Sequence, residues 1–172
     1  MRLSTRGAPA AERSHRLPSV RTLARFLAEA RGAVRLRGQV SVLLTTDARL
    51  RRLNRQFRGI NKPTDVLSFP AGEAPDGAAR VAGDLAISVP AARRQAVEHG
   101  HALAAEIKIL ILHGLLHLAG YDHETDGGRM ARRERRLRAG LGLPTGLIER
   151  TEGAAPKKHI ARRARPATGE RR

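Results

Sequence analysis

A chain of 172 residues has room for one domain of ordinary size, and its 41% hydrophobic content can fill a core in which aromatics, at 2%, play little part. It has no cysteine, which excludes disulfides, thiolate metal sites and thiol nucleophiles. A formal charge of +17 points to a polyanionic partner, with nucleic acid ahead of an anionic membrane, unless arginine is simply abundant throughout the source proteome.

Residues 1–16 read as a flexible leader without the apolar stretch of a secretory signal. Pro18 and Ser19 then open a helix with Val20, Leu23, Phe26, Leu27 and Ala30 on one face and Gly32 as its stop. Gln39–Thr45 is β-branched and apolar, hence a strand. Thr46 or Asp47 caps the next helix, whose Leu50, Leu53 and Phe57 recur at helical spacing until Gly59 and Pro63 break it. Residues 66–69 (VLSF) form a short strand ended by Pro70. Residues 71–83 are a polar Gly/Pro-rich connection, Asp84–Ser88 is another strand, and Pro90 begins a helix to about His99.

The helix from about Ala102 to Ala119 is apolar nearly all round, so it belongs in the middle of the domain. It carries Glu106, Lys108 and two histidines and falls short of the ~20 apolar residues a membrane span needs. Residues 127–139 read as a charged, exposed helix docked by Met130, Ala131 and Leu137. A basic tail, 151–172, reads as disordered, leaving residues 17–150 as the domain. Strands and helices interleave without a regular repeat. The expected class is therefore α+β, a small mixed sheet packed against helices around a buried central helix, in a cytoplasmic protein.

The run HGLLHLAGYDH holds His113, His117 and His123. Four residues is one helical turn, so His113 and His117 share a face. Gly120 can end the helix in a left-handed conformation and let the chain bring His123 back to them. Three imidazoles suit Zn²⁺ and leave its fourth position for water, which is the pattern of a catalytic site. The H-E-x-x-H helix of zinc peptidases has its base where this chain has Gly114, so that carboxylate is missing. A glycine inside a helix implies a close approach to the backbone, by a neighbouring element or by substrate. Asp122 could orient a ligand imidazole or merely cap the loop. Tyr121 reads as a packing residue. Glu124 and Asp126 read as solvated loop charges rather than a base. His15, His99, His101 and His159 lack such a setting and read as solvated or packing residues.

This block resembles the H-G-x-x-H-x-x-G-x-D-H signature of the YbeY family of metal-dependent single-strand endoribonucleases. Residues 53–70, LNRQFRGINKPTDVLSFP, resemble that family's segment ending in P-T-D-V-L-S-F-P, and Gly83–Ser88 resembles its G-D-I-x-I-S strand. The three motifs, in the same order, cover roughly residues 18–145. The resemblance implies that His113, His117 and His123 are ligands of one Zn²⁺ per chain and form the catalytic centre with Arg58. It implies a single-stranded RNA substrate, ribosomal RNA of the small subunit processed at its 3′ end, and contact with the small subunit and its proteins in ribosome quality control. Arg58 could clamp a phosphate, although by position alone it is an arginine completing a helix. The family usually begins with a strand, for which residues 10–18 are poorly suited. A non-catalytic ribosome assembly factor with a structural metal, or less favourably a zinc peptidase, is the alternative.

Overall fold

Ser19 starts the first helix, α1 (Val20–Val34), its hydroxyl accepting the Thr22 N–H at 3.2 Å. This computed structural model describes residues 16–72, 80–123 and 125–145. The expected leader up to residue 15, most of the doubtful leading strand, the basic tail, His15, Glu124 and His159 lie outside these residues.

Helix α1 does not stop at Gly32. It continues through Val34 and ends at Arg35, which takes the left-handed conformation at φ 63°. The Arg35 and Leu36 N–H groups close the end on the carbonyls of Gly32 and Arg31. Val34 is buried together with Phe26 and Ala30, so packing of the last turn outweighs the glycine. Val20, expected on the apolar face, is exposed.

The chain continues through β1 (Gln39–Thr45), α2 (Asp47–Arg58), β2 (Val66–Pro70) and β3 (Val81–Ser88), then α3 (Val89–Glu98), α4 (Leu103–Leu118) and α5 (Arg129–Gly140). Thr46 caps α2 through its side chain, and Gly59 ends it at φ 69°. Ser88 caps α3 by accepting the Ala91 N–H at 3.2 Å. Strand β3 begins three residues before the expected Asp84, at Val81. The alanine- and glycine-rich start carries little strand propensity, but pairing on both sides recruits it.

The described sheet has the order β1-β3-β2, with β1 parallel and β2 antiparallel to the central β3. Side chains alternate across it. Leu67 and Ala86 pack with Leu50 of α2 on one face, where Phe57 meets Phe69 edge-on at 5.3 Å. On the other face Val66, Leu85 and Ile87 join the larger core with α1, α3, α4 and α5. This is the expected α+β arrangement.

Helix α4 is the centre of that core, and Ile107, Leu110, Ile111, Leu112, Leu115 and Leu116 have no exposed surface. It lies tight against the sheet at Gly114, where an added Cβ would lie 2.7 Å from Leu85 Cδ2 and 3.3 Å from Ser68 Oγ. The neighbouring element that the mid-helix glycine implies is therefore the sheet. Residues 64–65, in the second family-like segment, hold the start of β2. Asp65 Oδ1 accepts the Val66 N–H and Oδ2 accepts from Gln95, both at 2.8 Å, while its carbonyl accepts the Ser88 N–H. No single described helix is long and apolar enough to cross a membrane.

Candidate metal centre

Two of the three histidines are fixed by α4 itself. One turn apart and only 4% exposed each, His113 and His117 face one another with Nε2 atoms 3.1 Å apart. The end of α4 supplies the third. Gly120, at φ 89°, donates to the His117 carbonyl at 3.0 Å, and Tyr121 donates to the Leu116 carbonyl at 3.1 Å. This pair of bonds ends the helix and reverses the chain. His123 is thereby carried back until its ring centroid lies 5.7 Å from that of His113 and 5.3 Å from that of His117.

The rings are mutually tilted by 52° to 72°, so they converge rather than stack. One ligand atom from each lies within 4.8 Å of the others. Donors around a tetrahedral Zn²⁺, about 2.0–2.1 Å from the metal, are about 3.4 Å apart, so the cluster is of the right size for a transition-metal ion. Its exposure is uneven. His113 and His117 are buried and His123 is exposed, so the group reaches solvent through its third member.

Behind His113 stands a residue that the sequence reading missed. Glu134 of α5 is 9% exposed, and its Oε2 lies 2.9 Å from His113 Nδ1. A carboxylate only accepts, so this contact places the proton on Nδ1 and leaves the Nε2 lone pair facing His117. The Arg138 guanidinium donates to the other oxygen, Oε1, closing a chain from arginine through carboxylate to imidazole. Met130, Glu134 and Leu137 make the buried stripe of α5, at intervals of four and three, while Ala131 is exposed. That spacing was the available signal. It was hidden because a glutamate among arginines reads as surface charge.

Asp122 takes part in the loop, accepting from the Thr125 hydroxyl at 3.2 Å. The Asp126 carboxylate accepts the Met130 N–H at 2.7 Å and so caps the start of α5. Arg58, half-buried at the last position of α2, donates from Nη1 to Asn54 Oδ1 at 3.2 Å. Asn54 is buried and donates in turn to the Lys62 carbonyl at 2.9 Å, which ties the guanidinium through Asn54 to the loop before β2.

The sequence model of the Endoribonuclease YbeY family matches residues 12–142. The chain belongs to this family. Endoribonuclease YbeY of Koribacter versatilis is 53% identical over 145 residues, covering 84% of this chain and 91% of that protein. The protein of the same name from Solibacter usitatus is 60% identical over 110 residues, covering 64% and 71%. The solution structure of TM1509 from Thermotoga maritima is similar at 29% identity and a TM-score of 0.50, covering 73% of this chain and 85% of that one. The matched segment includes the α4 helix, its stop at Gly120 and the returning His123.

Proposed function

We propose that this YbeY-family chain is a zinc-dependent single-strand endoribonuclease that matures ribosomal RNA in the cytoplasm, cutting near the 3′ end of the small-subunit RNA. The observation that carries the reading is the convergence of His113, His117 and His123, with Glu134 behind His113. Zn²⁺ held by the three imidazoles would supply Lewis acidity and lower the pKa of a bound water towards neutrality. Glu134 keeps His113 in the tautomer that offers Nε2. His117 provides the second donor from the same helix face, and the exposed His123 completes the set at the edge where RNA would arrive. Arg58 is assigned the phosphate, holding it through paired N–H groups and stabilising charge that develops during cleavage. Exposed arginines on α2 and α5 favour a polyanionic substrate and contact with ribosomal RNA within the small subunit.

Gly114 argues against peptidase chemistry. A glutamate there would drive its Cβ into Leu85, so the position cannot present the usual general base. The test is incubation of the full chain with single-stranded RNA and, separately, with casein. RNA cleavage that a chelator abolishes and Zn²⁺ restores, absent in His117→Ala, is the expected result. RNA binding by both forms with cleavage by neither would indicate an assembly factor instead.

A further inference from the structure

The turn between α3 and α4 gathers three groups that the proposed reaction does not use. His99 follows the last residue of α3, Gly100 turns the chain at φ 65°, and His101 comes next. Their Nδ1 atoms lie 3.6 Å and 3.2 Å from one oxygen, Glu106 Oε2, in the first turn of α4. The two imidazole side chains keep 15% and 14% of their surface exposed, while the glutamate keeps 1%. The second oxygen, Oε1, is buried without a hydrogen-bond partner.

A hydrogen-bonded cluster accounts for only part of this. The contact at 3.2 Å is at the edge of the N–H···O range and the one at 3.6 Å is outside it. A buried carboxylate oxygen without a donor has also given up its hydration with nothing in return. Both separations instead bracket the edge of about 3.4 Å between donors of a tetrahedral Zn²⁺. Two imidazoles and a carboxylate are an established zinc donor set, and an ion there would neutralise the buried charge.

We propose that His99, His101 and Glu106 form a second divalent-metal site, selective for Zn²⁺ or a similar imidazole-seeking ion. Glu106 and His113 are two helical turns apart on α4, an axial rise of about 10.5 Å. Paired catalytic ions stand only about 3.5–4 Å apart, so the second ion does not share the chemistry of the first. Its effect is on the fold. It ties the α3–α4 turn to the base of the helix that presents His113 and His117.

The full chain, stripped with chelator and dialysed, is titrated with Zn²⁺ by calorimetry, and bound metal is counted after gel filtration. Wild type is expected to hold two equivalents, His99→Gln/His101→Gln one, and His113→Ala/His117→Ala one. The second equivalent raises the melting temperature of wild type and leaves that of His99→Gln/His101→Gln unchanged. Glu106→Gln is expected to match the His99/His101 variant. Should its buried position prevent folding, the partly exposed histidines decide the matter. Saturation of wild type at one equivalent that His113→Ala/His117→Ala abolishes, or an unchanged count in His99→Gln/His101→Gln, overturns the proposal. Failure of the three-imidazole reading looks different, because His113→Ala/His117→Ala would then bind as much metal as wild type.

Discussion

At the scale of single residues, the candidate centre depends on which nitrogen of His113 carries the proton. Glu134 decides this through a contact of 2.9 Å, with Arg138 holding its other oxygen. Glu134→Gln keeps the shape but can present an N–H to Nδ1 and favour the wrong tautomer. It is expected to weaken Zn²⁺ binding about 10–100-fold in a competition titration, with the helical content of the protein unchanged. Asp47 lies away from the centre. The hydrogen bond from Arg94 at 2.9 Å holds its carboxyl below the ordinary carboxylate value, with burial opposing and the Ser88 hydroxyl assisting. A depressed folded-state pKa contributes stability above the unfolded value near ~4 and loses it as pH falls through the folded value. The carboxylate is 34% exposed, so the contribution is small, about 1 kcal/mol or less. Urea unfolding should show wild type ahead of Asp47→Asn by that margin at neutral pH, with the difference shrinking as acidification protonates the carboxylate.

Elements were legible where one signal dominated. Helix α4 was plain from an apolar run of helical length, and its stop at Gly120 from a glycine that has to adopt φ 89°. Gly32 misled because the same residue type only permits a stop, and the buried Val34 kept α1 going to Arg35. Glu134 was missed because chemistry from a second helix has no local signature. Its partner His113 is 21 positions away in sequence. Gly114 could be read as a close approach, but whether sheet or substrate came near required the packed structure. With Leu85 and Ser68 against it, Gly114→Ala must push Leu85 aside. Overpacking costs about 1–3 kcal/mol, against a gain of up to ~1 kcal/mol in helix propensity. The expected net result is a lower melting temperature with Zn²⁺ stoichiometry preserved. Unchanged or increased stability would mean that the sheet yields at this point.

For the whole molecule, the α+β class followed from the order of elements, whereas the parallel pairing of β1 with β3 did not, since strand partners depend on contacts remote in sequence. The charge of +17 has a thermodynamic consequence independent of the metal. Binding to single-stranded RNA should weaken linearly on a log–log plot against salt, with a slope of about −0.7 per phosphate neutralised. Charge-reversing exposed arginines of α5, such as Arg132 and Arg136, should flatten that slope. An unchanged slope would place the RNA on another face. The sequence supplied the charge and the three histidines, and the fold brings those histidines to one point.

The most direct test of that point is an anomalous-diffraction map of the Zn²⁺-loaded protein, collected at the zinc edge. The account predicts a peak between His113, His117 and His123, about 2.0–2.1 Å from one nitrogen of each, with solvent as the fourth ligand. No peak there, or a fourth protein side chain closing the coordination sphere, would contradict it.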